Sequence, residues 1–422
     1  MSGPITPPPL RNDCFALPAG VHWTPVDEAL ALLRERLTPV TGRETVPVSR
    51  AMGRVLADDV VALRANPPLP NTAVDGYGFA GGRPEGPHVL VLLDERAAAG
   101  PRLATVVPEG RAVRILTGAA LPTGVDTVVL QEDVTVADGQ IAFNGPIKMG
   151  ANTRRAGEDV RKGDVILTAG RRVTAADMAI LAATGADQVN VRVPLRVAVV
   201  STGDELVEAG ESAKQDQIYD ANRPMLVSMI TAMGHVPVDM GRCADDRAAL
   251  SRILDDAASN ADVVITSGGA SAGDEDHVSS LMTEAGAMQM WRIAIKPGRP
   301  LALGLWNNTP VFGLPGNPVA AMVCTLVFAS PAMAQLAGAG WVAPVGYDVP
   351  ANFTKSKKAG RREYLRARIR MCDGQVEVFG SEGSGRISGL SWADGFVELA
   401  EDAQTINKGD LVRYVPFGSF GL

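Results

Sequence analysis

The apolar positions along the chain change their period several times, and each change predicts a different element. In residues 25–37 (PVDEALALLRERL) apolar side chains recur three and four apart, the spacing of an amphipathic helix. Thr24 suits its N-cap and Pro25 its first helical position. Residues 54–150 carry short apolar runs instead, at 88–93, 112–116 and 127–130, with Gly and Pro between them throughout. That punctuation predicts a small β-rich domain. Charge returns over 151–192, with a helix at 174–184 ended by Gly185.

From 193 strand-like and helix-like runs alternate. Strands are expected at 195–200, 236–240, 262–266 and 310–313. Helices are expected at 223–233 behind Asp220 and Asn222, at 245–259 with Asp245 or Asp246 as cap, at 275–285, and from Pro318 onward. This alternation predicts a doubly wound parallel sheet, which binds ligands beyond the carboxyl ends of its strands. The tail, 345–422, returns to short alternating segments broken by Gly, at 376–379, 396–399 and 411–415, and predicts a small β domain. The expected fold is therefore multidomain α/β. A discontinuous N-terminal mixed domain (1–53 and 151–192) carries an inserted β-rich domain (54–150). The parallel-sheet domain (193–338) and the C-terminal β domain (339–422) follow.

Composition narrows the class. Of 422 residues, 46% are hydrophobic and 21% charged, which excludes wholesale disorder. The formal charge of −7 argues against a nucleic-acid partner, because counterion release needs clustered Lys and Arg. Four cysteines (14, 243, 324 and 372) form no CxxC pair, which argues against a zinc site or a disulfide scaffold. With four histidines in the chain, a His-rich metal centre is excluded as well. The N-terminus lacks the basic-then-apolar order of a signal peptide. The uncharged stretch 300–347 is the one membrane suspect. Its helical run, 319–330, is expected to stop at Pro331, too short to span ~30 Å of hydrocarbon. A buried core helix, no membrane partner and a cytoplasmic location are expected.

Four loops carry candidate chemistry. Residues 267–277 (SGGASAGDEDH) join a strand to a helix, with glycines that let a ligand approach the backbone and free N–H groups that favour an anion. This is not a Walker loop, since Asp274 follows Gly273. Asp274, Glu275 and Asp276 suit Mg²⁺ beside a phosphate; an acidic first helical turn accounts for them equally well. The segment 269–273 also matches the GxSxG nucleophile elbow at Ser271, but no histidine follows His277 to complete a triad. The second loop, 313–318 (GLPGNP), offers Asn317 as N-cap with Pro318 at the first helical position, and reads as a capped core helix or as a second anion nest. In the third, Asp204 and Glu205 leave a strand at 201–206 (STGDEL), where an ordinary turn explains them by itself. The fourth, 296–300 (KPGRP), holds two cations on a stiff turn, fit for an oxyanion or for the surface.

Taken together, these segments resemble the molybdopterin molybdenumtransferases of molybdenum-cofactor biosynthesis, relatives of the enzymatic domain of gephyrin. The resemblance runs in order through PVDEAL (25–30), AMGRVLADDV (51–60), NTAVDGYGF (71–79), TGAALPTGVDTVV (117–129), NTRRAGEDVRKGD (152–164), STGDEL (201–206), YDANRPML (219–226), SGGASAGDED (267–276), IKPGRPLALG (295–304), GLPGNPVAA (313–321), GRREYLRA (360–367) and GSGRISGLSWADG (383–395). It implies an enzyme that takes adenylylated molybdopterin and molybdate, releases AMP with Mg²⁺ and leaves molybdenum on the dithiolene. It further implies a homodimer with active sites shared between subunits, with the molybdopterin adenylyltransferase and recipient molybdoenzymes as further partners.

By resemblance, Asp274 and Asp276 match the acidic positions linked to Mg²⁺ and adenylate cleavage, and Asp245 and Glu205 match acidic positions of the same cleft. Lys296, Arg299, Pro300, Arg366 and Ser384 match the molybdate pocket. Ser267, Gly268, Gly269 and Asn317 match the pterin and phosphate cradle, and Asp75, Thr117 and Asp159 match positions facing the partner's site. Arg299 stands where a Lys is usual, which puts a fork in place of a point charge. Two other functions stay open on the sequence: a paralogue that binds molybdopterin or scaffolds partners without turnover, and a hydrolase using Ser271.

Overall fold

The computed structural model describes residues 23–268, 277–285, 288–298 and 300–422. These fall into two compact units: 43–191, and 23–42 together with 192–422.

The larger unit is built on a six-stranded sheet. Its elements, in chain order, are helix α1 (Val26–Arg36), strand β1 (Arg196–Thr202), α2 (Asn222–Ala232), β2 (Val236–Cys243), α3 (Arg247–Asn260), β3 (Val263–Ser267), α4 (His277–Glu284), β4 (Met288–Arg292), β5 (Pro300–Trp306), β6 (Thr309–Leu314) and α5 (Pro318–Leu336). The strand order is β2-β1-β3-β6-β5-β4. The first four run parallel, as the alternation predicts, and β5 and β4 continue the sheet antiparallel.

Strand periodicity divides the core into two layers. Val197, Val199, Val263, Ile265, Phe312 and Leu314 pack with α1, α2 and α5 on one face. Ala198, Val200, Val264 and Val311 pack with α3 and α4 on the other. Helix α1 is drawn into the first layer by Val26 and Ala29, both fully buried, so it lies with the sheet and not with 151–192 as the sequence grouped it. Its N-cap is Pro25, not Thr24. Thr24 instead makes a two-way backbone bridge, donating to Arg292 and accepting from Ala294, each at 2.8 Å.

Pro331 does not end the helix that begins at Pro318. A π-helical segment, Thr325–Ala329, widens the turn ahead of the proline, and helix continues to Leu336. A proline ring lacks an N–H and crowds the carbonyl four residues back; the wider turn relieves both. At 19 residues α5 is long and apolar enough to cross a membrane by length and composition, yet 83% of its apolar window is buried in the protein. It is the core helix of the unit.

A second sheet in the same unit joins Arg362–Ile369, Gly395–Leu399, Leu411–Pro416 and Tyr347–Pro350, with Val376–Val378 beside the first of these. The two-residue strand Ile295–Lys296 adds to its edge in parallel, with Lys296 opposite Glu363. That register fixes where the Lys296 ammonium sits.

In the smaller unit a six-stranded sheet runs Thr127–Leu130, Gly76–Phe79, Arg111–Ile115, Arg83–Ala97, Gln140–Ile147 and Thr135–Ala137. The one α-helix of this unit, Ala175–Ala183, starts with a capping box formed by Thr174 and Asp177.

Candidate active site

Three neighbouring parallel strands, β1, β3 and β6, release their chains at the same edge of the sheet. The loops that follow, with the 218–222 and 296–298 turns and residues 382–384, line a cavity of about 780 Å³. That size suits a nucleotide-scale ligand, and its position is the one expected of an open α/β sheet.

The first loop turns sharply at Gly268, whose φ of +94° lies in the left-handed region. A Cβ at this position would fall 2.4 Å from the Thr202 carbonyl oxygen, so only glycine lets β1 and β3 close against each other here. Ser267, fully packed at the end of β3, accepts a hydrogen bond from Asn222 Nδ2 at 2.7 Å. The same Asn222 nitrogen donates to the Gly316 carbonyl at 2.8 Å. One amide thus ties the loop after β3 to the loop after β6. Asn222 was read from the sequence only as a residue leading into a helix; its YDANRPML motif was the available signal. The opposite end of this amide, Oδ1, and Thr202 Oγ1 are buried and find no partner among the described residues.

Asn317 caps α5, accepting from Val319 N at 3.3 Å, and the helix start lines the cavity with its positive dipole end. The Ser384 carbonyl also accepts from Val319 N, at 3.4 Å, which seats the 383–385 loop on the helix start. Glu205 and Asp245 bring carboxylates to the wall. Asp245 is anchored through its backbone N–H, which donates to Asp204 Oδ1 at 3.1 Å.

Lys296 lines both this cavity and a smaller one of about 190 Å³ beside it. Its ammonium donates to Glu382 Oε2 at 2.8 Å and to Glu363 Oε1 at 3.2 Å. Lys355 bridges the other oxygens of the same two carboxylates, Glu363 Oε2 at 3.1 Å and Glu382 Oε1. Burial disfavours the Lys296 ammonium, but the two glutamates outweigh it and hold its pKa above the ordinary lysine value. Burial likewise pushes the Glu382 carboxyl up, and the two lysines more than reverse this. Arg366, buried in the smaller cavity, donates to the main-chain carbonyls of Arg386 (2.5 Å), Ser381 (2.5 Å) and Gly383 (3.1 Å). It thereby shapes the loop that presents Glu382 and Ser384.

Seven of the sixteen residues singled out by resemblance therefore line one cavity: Glu205, Asp245, Ser267, Gly268, Lys296, Asn317 and Ser384. Arg366 lines the adjoining one, and Pro300 heads β5. Gly269, Asp274, Asp276 and Arg299, together with Ser271, lie outside the described residues. The remaining three belong to the smaller unit. There Asp75 accepts from both the backbone N–H and the hydroxyl of Thr117, each at 2.6 Å, which lowers its pKa. Asp159 accepts from Asn66 Nδ2 at 2.9 Å. Lys355, Glu363 and Glu382 were missed, because partners in a charge cluster cannot be read from one strand's pattern.

Sequence profiles of known families cover most of the chain. The MoeA N-terminal region (domains I and II) matches residues 24–185, a probable molybdopterin binding domain matches 198–335, and the MoeA C-terminal region (domain IV) matches 348–417. The molybdopterin molybdenumtransferase of Haemophilus influenzae is 35% identical over 397 residues, spanning 93% of this chain and 98% of that protein. Molybdopterin molybdenumtransferase 2 of Mycobacterium tuberculosis is 32% identical over 376 residues, spanning 86% and 93%. Among solved structures, the molybdopterin biosynthesis MoeA protein of Pyrococcus horikoshii superimposes with a TM-score of 0.81 at 28% identity, over 93% of this chain and all of that one.

Proposed function

This chain belongs to the molybdopterin molybdenumtransferase family, transferases of molybdenum-cofactor biosynthesis, and we propose that it takes molybdate and adenylylated molybdopterin as substrates and releases AMP with Mg²⁺. The observation that carries this reading is the cavity at the carboxyl ends of β1, β3 and β6. It combines glycine turns, a helix N-terminus, carboxylates and a lysine in one nucleotide-sized space.

Each group has a task in this reading. The loops after β3 and β6, held together by Asn222, cradle the phosphate and pterin through Ser267, Gly268, Gly269 and Asn317. Lys296, Arg299, Pro300, Arg366 and Ser384 hold the tetrahedral dianion, where cations and a hydroxyl are the natural donors. Mg²⁺ fits the donor set, because hard carboxylate oxygens suit it and Glu205 and Asp245 both reach the cavity. By the family resemblance, Asp274 and Asp276 are the acidic positions that would hold the ion with them. Bound there, the ion supplies charge neutralisation at the phosphoanhydride. Cleaving that bond needs chiefly positioning and electrostatic stabilisation, so no Cys or His nucleophile is required of the chain.

The reading extends to a cytoplasmic homodimer, with Asp75, Thr117 and Asp159 of one subunit facing the other's site. The adenylyltransferase as supplier and molybdoenzymes as recipients complete it. The test is AMP release from adenylylated molybdopterin by purified protein, with Mg²⁺ and with molybdate present or absent. Molybdate-stimulated release that is lost in Asp276→Asn is the expected result. Tight binding without release would make the protein a carrier instead.

A further inference from the structure

Lys296, which lines the cavity with Ser384, is already neutralised from within. Lys296 and Lys355 share the same two carboxylates, Glu363 and Glu382, in a closed ring of four ion pairs. Two ammoniums and two carboxylates sum to zero, so the ring as it stands offers an incoming dianion no net attraction.

The two carboxylates are not equivalent. Glu363 sits in strand Arg362–Ile369, paired with Lys296 on one side and Leu399 on the other, and its side chain is 9% exposed. Glu382 sits in a loop and its side chain is 47% exposed. Arg366 holds that loop by its main chain alone, through the carbonyls of residues 381, 383 and 386. The backbone is therefore fixed while the Glu382 side chain has water to turn into. Moving Glu363 instead would leave a buried carboxylate unpaired, a far more costly change.

We propose that Glu382 is a specificity-determining residue of the oxyanion subsite, its carboxylate competing with the incoming tetrahedral dianion for Lys296 and Lys355. This rests on the reading of the Lys296–Ser384 region as the oxyanion pocket. On displacement, Glu363 stays to balance one lysine, and the other turns to the ligand. The competition sets a threshold: a dianion displaces the carboxylate, whereas singly charged oxyanions gain too little to do so.

The test is calorimetric titration of sodium molybdate into the wild-type chain, Glu382→Gln and Glu382→Ala, with circular dichroism to verify folding. Removing the charge is expected to tighten molybdate binding by about tenfold in either variant, with the gain shrinking as salt is raised. A merely structural role for Glu382 would weaken binding, not strengthen it. Unchanged or weaker affinity in folded variants, beside a wild type that binds, overturns the competition alone. No molybdate binding by any of the three overturns the oxyanion pocket, and the competition with it.

Discussion

Asn222 bridges Ser267 Oγ and the Gly316 carbonyl with a single amide nitrogen, so two ligand loops depend on one side chain. Replacing it with Ala unties the two loops and leaves the buried Ser267 hydroxyl without this donor, at a cost of about 1–3 kcal/mol. Asn222→Ala should lower the unfolding free energy read from urea titration by that amount, and depress AMP release beyond what the lost stability explains. Unchanged release at full folding would remove Asn222 from the positioning role. At Gly268 the requirement is steric: Gly268→Ala drives a Cβ toward the Thr202 carbonyl and should separate β1 from β3, measurable as lost ligand binding. At this scale the site was partly legible. Ser267, Asn317, Lys296 and Ser384 stand in motifs whose spacing survives in the sequence. Glu363 falls inside the GRREYLRA motif and Glu382 just ahead of the 383–395 one, yet their pairing with Lys296 was not legible, because which strand edge meets Lys296 is a fact of register.

Among the elements, those with strong local signals were legible. Asn317 and Pro318 announce α5, and Asp246 announces α3; both side chains cap as their chemistry suggests. Strands β4 and β5 were not foreseen, since antiparallel strands that follow one another with no helix between them lack the punctuation that separates strand from helix in the parallel region. The end of α5 was misplaced for a different reason: a proline stops a helix only where no π-turn absorbs it, and tertiary burial pays for that turn here. In the smaller unit the capping box at Ala175–Ala183 sets a pH-dependent element. The Arg171 guanidinium, against the opposing effect of burial and with help from Thr174, holds the Asp177 carboxyl down at about 2, from an ordinary 3.8. A carboxyl lowered on folding stabilises above its unfolded pKa and loses that contribution as pH falls through its folded one. Asp177→Asn should therefore be less stable than wild type above pH about 4. The gap should close toward pH about 2, as read by chemical denaturation at each pH. Thr174→Ala should cost about 1 kcal/mol, as the loss of an N-cap does.

For the whole molecule, the order of twelve motifs from 25 to 395 made the family legible without any structure, because a single short motif recurs by chance and a dozen in register do not. The sheet's position of the site followed from strand–helix alternation alone. What stayed hidden was the home of α1, whose apolar stripe shows that it is buried without showing against what. The proposed sharing of sites between subunits makes its own prediction. Sedimentation should give a species of twice the 44.1 kDa chain mass. Mixing an Asp276→Asn chain with an Asp75→Asn chain should restore AMP release that neither has alone. Failure to complement in a verified mixed dimer would place both residues' functions within one subunit. The central claim, that the cavity beyond β1, β3 and β6 holds the nucleotide and the oxyanion together, is met most directly by anomalous diffraction at the molybdenum edge. Crystals soaked with AMP and molybdate should show a molybdenum peak among Lys296, Arg366 and Ser384, with AMP density against Ser267 and Asn317. A molybdenum peak confined to other parts of the chain, or none with AMP bound, would contradict the account.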